Sequence, residues 1–166
     1  MRTLILYESL HHGNTKKLVD AIAEKYPVET EDARTFTGDL SKYDAIGFAS
    51  GVAFGKIYNE ILDIAIDKMP FDKDIFFICT AGLTVGDYAK EIRTLAEQRQ
   101  NRVHGAYCCR GFDTFGPLRL IGGINKGCPT ENEIAGAVDY YRLVLMECGI
   151  DPETMQPASP EVNADS

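Results

Sequence analysis

Apolar residues fall along the chain in two rhythms, short unbroken runs and longer stretches at helical spacing, and the two alternate. Residues 3–7 hold Leu4-Ile5-Leu6 between polar neighbours, the pattern of a central strand buried on both faces. From Thr15, apolar side chains recur at Leu18, Val19, Ile22 and Ala23, with Asp20, Glu24 and Lys25 among them, and Tyr26-Pro27 stops this helix. Residues 28–33 alternate weakly and are charged, which predicts a short edge strand, and Thr37-Gly38-Asp39 predicts a turn. Residues 43–49 predict a third, buried strand, and helical spacing resumes at Ile57, Ile61, Leu62, Ile64, Ala65 and Met69 before Pro70. Ile75-Phe76-Phe77-Ile78-Cys79, within 74–80, is the most continuous apolar run of the chain. An amphipathic helix over 87–98, a strand over 103–109 and a long helix over 131–148 complete the series. After Ile150 the periodicity stops, so residues 1–150 read as the folded domain. Residues 151–166, with Pro152, Pro157 and Pro160, read as a mobile acidic tail.

Strands alternating with helices give a parallel sheet covered on both faces. Five strands in about 150 residues predict the α/β doubly wound order 2-1-3-4-5. Such sheets bind ligands beyond their strand C-termini, at the point where the order reverses. The loops after the first, third and fourth strands would meet there, and each carries glycine. The first, Ser9-Leu10-His11-His12-Gly13-Asn14-Thr15, offers two hydroxyls, an amide and a permissive backbone at a helix N-terminus, where unpaired N–H groups and the helix dipole favour an anion. Capping by Asn14 or Thr15 is the simpler use of those side chains. Three such loops on one edge of the sheet go beyond what capping explains, and phosphate binding is the stronger expectation.

The residues of these loops resemble the flavodoxin family, whose phosphate loop reads roughly [FY]-x-[ST]-x-x-G-x-T after a hydrophobic strand. Here the stretch is Tyr7-Glu8-Ser9-Leu10-His11-His12-Gly13-Asn14-Thr15, one residue longer between Ser9 and Gly13. Further likeness lies in Tyr43-Asp44 before the third strand, Ser50-Gly51 with Phe54-Gly55-Lys56 after it, Thr80-Ala81-Gly82, and the segments 111–116 and 122–129. The resemblance implies a flavodoxin-like fold holding flavin mononucleotide (FMN). The phosphate would lie at Ser9, His11, His12, Gly13, Asn14 and Thr15. The isoalloxazine ring would lie between the loop of Ser50, Gly51, Phe54, Gly55 and Lys56 and the loop of Thr80, Ala81, Gly82 and Leu83. Phe54, or else Tyr58, would cover one ring face and Leu83 the other, in a chain without tryptophan. Gly55 would let a peptide turn towards the ring.

Charge narrows the partners. Asp and Glu number 25 against 17 Lys and Arg, a formal charge of −8, which repels nucleic acid and anionic membrane and steers in partners with basic patches. Five cysteines, an odd count without C-x-x-C or paired metal spacing, fit a reducing cytoplasm. No apolar segment reaches membrane-spanning length. Cys108 and Cys109 are neighbours on a strand and point to opposite faces, so they are expected to pack rather than to pair. Cys128, before Pro129 and a helix start, is a loop thiol whose thiolate could be stabilised there. No third ligand accompanies His11-His12, and no metal site is expected. The segment 111–130 exceeds an ordinary connection, which suits a loop over the site or a partner surface.

The resemblance implies an electron carrier whose flavin exchanges electrons with redox protein partners docked beside the ring; no catalytic residue is then required. The alternative is an FMN-dependent oxidoreductase passing a hydride from NAD(P)H to a quinone or similar small acceptor. A phosphoacceptor signalling domain shares the strand order but needs an aspartate ending the third strand, where this chain has Ala49-Ser50-Gly51. The G-x-x-x-x-G-K-[ST] and G-x-G-x-x-G loops of other nucleotide-binding proteins are missing from the sequence.

Overall fold

A computed structural model describes residues 1–155. The strands β1 (Thr3–Glu8), β2 (Glu29–Asp32), β3 (Ala45–Ala53), β5 (Asp74–Ala81) and β6 (Arg102–Arg110) form a parallel sheet in the order β2-β1-β3-β5-β6. A two-residue strand β4 (Lys56–Ile57) folds back antiparallel on the end of β3. Leaving this short return aside, the order is the 2-1-3-4-5 expected from the sequence. The helices α1 (Asn14–Lys25), α2 (Asn59–Lys68), α3 (Lys90–Gln98) and α4 (Glu131–Glu147) cover the sheet.

Alternation along each strand divides the core between two layers. Leu4, Leu6, Ile46, Phe48, Ile75 and Phe77 face α2 and α3, packing on Ile61, Ala65, Ile92 and Ala96. Ile5, Ala49, Phe76 and Ile78 face α1 and α4, packing on Leu18, Ile22, Tyr141 and Leu145. The two adjacent cysteines part as expected, Cys108 toward the first layer and Cys109 into the second. Close packing fixes a small residue at Gly47, where a Cβ would stand 2.5 Å from the Phe76 ring.

Several boundaries differ from the sequence reading, and β3 runs on through Ser50, Gly51, Val52 and Ala53, where a loop was expected. Ile57 belongs to β4 rather than to α2, and α3 begins at Lys90 after an irregular turn over 82–89. A further difference lies past Ile150, where Asp151 caps a short 3-10 turn (Pro152–Thr154), Pro152 is buried and Met155 packs against the second core layer. The rest of the expected tail, 156–166, lies outside the described residues. Among the described residues no helix is long and apolar enough to cross a membrane.

Tyr141 is the largest fully buried side chain. Its ring meets Tyr26 and Phe76 at centroid distances of 5.3 and 5.4 Å, and its hydroxyl donates to Thr3 Oγ1 at 3.2 Å. Tyr141→Ala is expected to cost about 3 to 5 kcal/mol and Tyr141→Phe only about 1 kcal/mol. Urea midpoints at unchanged m-value measure both.

Candidate functional site

The C-terminal ends of β1, β3 and β5 open into a cleft. The loop after β1 contributes Ser9, Leu10 and His11; the first turn of α1 contributes Asn14 and Thr15. From β3 and its turn come Gly51, Val52, Ala53 and Phe54, followed by Tyr58, and from β5 come Thr80, Ala81 and Gly82. The three predicted loops therefore meet. A fourth joins them after β6, bringing Gly111, Phe112, Asp113 and Phe115, so the long segment after that strand does lie over the site.

At the N-terminus of α1 the chain turns through Gly13 in the left-handed region, φ 65°, a conformation glycine adopts without strain. Gly13 has no side chain to cap with, and the capping falls instead to Ser9, whose Oγ accepts from the Lys16 N–H at 3.2 Å. The hydroxyls and amide read as phosphate ligands thus have protein partners. Thr15 Oγ1 lies 2.7 Å from Thr80 Oγ1, a buried hydroxyl pair that ties α1 to β5 beneath the cleft. Asn14 Nδ2 donates to the Phe112 carbonyl at 2.9 Å. Its Oδ1 is buried and has no partner among the described residues.

Of the expected site residues, His12, Gly13, Ser50, Gly55, Lys56 and Leu83 do not line the cleft. The Ser50 hydroxyl donates to the Gly51 carbonyl at 2.7 Å and accepts the Tyr58 N–H at 2.9 Å, which holds the β3–β4 return in place. Lys56 extends toward Glu91 on α3, 3.9 Å away. Phe54 and Gly55 take φ of 52° and 77° at the tip of the return, leaving the Phe54 ring 86% exposed at the cleft mouth. Gly51 lies beneath Tyr58, whose ring would be 2.6 Å from a Cβ there. Leu83 projects outward, and its carbonyl accepts from the Tyr88 hydroxyl.

The lengthened histidine loop has a structural use. His12 packs on Phe112, ring centroids 4.3 Å apart, and its Nε2 lies 2.9 Å from Thr114 Oγ1. His11 sits between Tyr58 at 6.3 Å and Phe115 at 5.8 Å, and Phe115 meets Phe54 edge-on at 4.9 Å. The extra residue thereby lets the loop reach across to 112–115. Asn125 holds the same segment from the other side, donating through Nδ2 to Gly82 O at 2.7 Å and Gly111 O at 3.3 Å. Cys128 is buried, and burial with the neighbouring Glu133 carboxylate pushes its thiol up, away from a stabilised thiolate.

Sequence reasoning passed over Glu8. It ends β1, is 1% exposed, and neither carboxylate oxygen has a hydrogen-bond partner among the described residues. Burial, and then the Glu60 carboxylate, raise its pKa to about 7. The signal was present in the sequence as a charged residue ending an apolar run on the inward phase of Leu4 and Leu6. Tyr58 records the same environment, pushed up to about 12 by burial and by the Glu8 and Asp113 charges.

A profile of the flavodoxin domain matches residues 4–111. An uncharacterized protein of Methanocaldococcus jannaschii is 33% identical over 148 residues, spanning 87% of this chain and 99% of that protein. Among solved structures, a flavodoxin from the domain Archaea is similar at 16% identity and a TM-score of 0.62, over 87% of this chain and 99% of that one. The flavodoxin of Fusobacterium nucleatum bound to flavin mononucleotide is similar at 11% identity and a TM-score of 0.62, over 89% of this chain and 99% of that one. The chain belongs to the flavodoxin-domain family.

Two outcomes follow from these contacts. Thr15→Val leaves the Thr80 hydroxyl buried without a partner and is expected to cost about 1 to 3 kcal/mol, whereas Thr15→Val with Thr80→Val is expected to recover most of that loss. A double-mutant cycle in urea checks it. For Glu8 the folded pKa lies above the unfolded value of 4.5, so its contribution is fully present below about pH 4.5 and lost as pH rises through about 7. Wild-type stability is expected to fall on the order of 3 kcal/mol across that window through this group, and Glu8→Gln is expected to flatten that fall in denaturation midpoints against pH.

Proposed function

We propose that the cleft holds flavin mononucleotide and that the protein carries electrons between redox protein partners. The observation that carries this reading is the orphaned Asn14 Oδ1, buried at a helix N-terminus whose turn is opened by Gly13. An acceptor buried without a donor suits a ligand that brings hydroxyls, and the adjoining N–H groups and helix dipole suit a ligand that brings an anion. The ribityl phosphate of FMN brings both. Among the described residues no Lys or Arg side chain lines the cleft, and the Asn14 N–H is taken by the His11 carbonyl, so the backbone N–H groups of Gly13 and Thr15 would hold the phosphate. Gly51, Phe54 and Tyr58 on one side and Ala81 and Gly82 on the other would hold the ring system. Membership of the flavodoxin-domain family supports the same cofactor.

Bound there, FMN supplies electron transfer in steps of one or two electrons, and the chain's own part is to bind it, to shield it from water and to set the charge around it. Leu10, Phe54, Leu83, Val85, Phe115, Leu120 and Ile121 are all exposed on the loops about the cleft. An apolar rim of this kind suits a partner surface docking beside the ring, and the formal charge of −8 favours partners with basic patches. Five free cysteines suit work in the reducing cytoplasm. The second reading, a nicotinamide-dependent oxidoreductase acting on a quinone-like acceptor, draws on the same exposed Phe54 and Leu83, which offer an apolar surface to a small ring.

Reconstitution tests the reading directly. FMN is expected to bind and to develop the flavin visible spectrum, with riboflavin weaker by about tenfold or more for want of the phosphate. Failure of FMN to bind overturns both readings. With FMN bound, two resolved one-electron potentials and negligible NAD(P)H oxidation support the carrier, whereas steady NAD(P)H turnover with a soluble quinone supports the oxidoreductase.

A further inference from the structure

At the other end of the sheet from the cleft, three side chains of different chemistry converge. Asp74 opens β5, His104 is the third residue of β6, and Cys148 follows the last turn of α4. One ligand atom from each lies within 4.8 Å of the other two. The His104 ring is only 2% exposed; its Nε2 is 2.6 Å from Asp74 Oδ1 and 3.5 Å from Cys148 Sγ. Its other nitrogen, Nδ1, is 2.6 Å from Glu147 Oε2.

From this geometry we infer that Asp74, His104 and Cys148 form a binding site for a divalent transition-metal ion of the zinc type, with Glu147 orienting the imidazole. One nitrogen, one carboxylate oxygen and one sulfur match zinc's preference for mixed borderline ligands, and exclude a calcium or magnesium site, which would be built from oxygen alone. A carboxylate on the far nitrogen of a ligating histidine is the usual outer support of such sites: it fixes the ring and directs Nε2 at the metal. Three protein ligands leave the fourth tetrahedral position to water.

Two contacts oppose the cation: the His104 Nε2–Asp74 Oδ1 hydrogen bond must open to admit a metal between them, and a guanidinium holds the same carboxylate. Arg102 Nε lies 2.5 Å from the same Asp74 Oδ1. The Arg102 side chain is 59% exposed, so it can swing into solvent when a metal takes its place, and the site is then tuned by that competition. Sequence spacing gave no sign of the site, because its ligands come from positions 74, 104 and 148 on three separate elements.

Cobalt is the probe. The full chain, stripped with chelator and titrated with Co²⁺, is expected to bind one equivalent with a thiolate-to-cobalt charge-transfer band in difference absorption, and Zn²⁺ is expected to abolish the band. Cys148→Ser is expected to remove the band, and Glu147→Gln to weaken Zn²⁺ binding by about 10- to 100-fold. Arg102→Gln, an exposed position that leaves the fold intact, is expected to tighten it. No charge-transfer band in either wild type or Arg102→Gln at millimolar Co²⁺ overturns the assignment and leaves an ion-pair network binding α4 to the sheet. A band that survives in Cys148→Ser overturns it as well, since the thiolate would then belong to another cysteine.

Discussion

The fold is governed by the burial of β1, β3 and β5 on both faces. A strand covered above and below can bring polar groups to solvent only at its ends. That constraint sends the chemistry of the molecule to the two edges of the sheet: the cleft beyond the strand C-termini, and the Asp74–His104 cluster at their starts. Between these edges the interior is apolar, and among the described residues its buried polar side chains are paired except for Glu8 and the Asn14 Oδ1. Thr15 meets Thr80, Tyr141 meets Thr3, and Ser50 satisfies the β3–β4 return. Such contacts add modest net stability but would be costly to leave half made.

Much of this architecture was legible in the sequence, because its strongest determinants are local. Unbroken runs such as Ile75-Phe76-Phe77-Ile78-Cys79 have one stable use in a chain of this composition, and the alternating helical stretches fixed a parallel sheet. The meeting of three glycine-bearing loops followed from topology alone. Partners at long range were not legible. Nothing in the order of residues says that Thr15 faces Thr80 or that Asn14 reaches Phe112. Hydroxyl and amide groups at a helix start serve a ligand or the protein equally well, and only the fold chooses. Lys56 shows the limit within a single motif: neighbouring residues of one loop face different ways, and this one leaves the cleft for Glu91.

The lengthened first loop illustrates how an insertion is absorbed. The added residue does not bulge idly into solvent. It carries two imidazoles across to Phe112, Thr114 and Phe115, so the first and last loops of the cleft are joined by ring packing and one hydrogen bond. Asn125 fastens the same segment to Gly82 and Gly111. A segment too long for an ordinary connection is in this way tied down at both ends, while Leu120 and Ile121 between them remain exposed.

Glu8 is the exception that the rest of the interior brings into relief. Every argument for a stable core speaks against a carboxylate that is 1% exposed and lacks a hydrogen-bond partner among the described residues. It persists at the point where β1 releases the chain into the cleft, near Tyr58, with Asp113 adding a second negative charge that Tyr58 also feels. Carboxylates so placed oppose any further negative charge gained within reach of them, and Glu8 relieves that opposition by taking a proton near neutral pH. The instability stored in this residue is therefore linked to the electrostatics of the cleft: the pH that neutralises Glu8 both strengthens the fold and makes the site more tolerant of an anion.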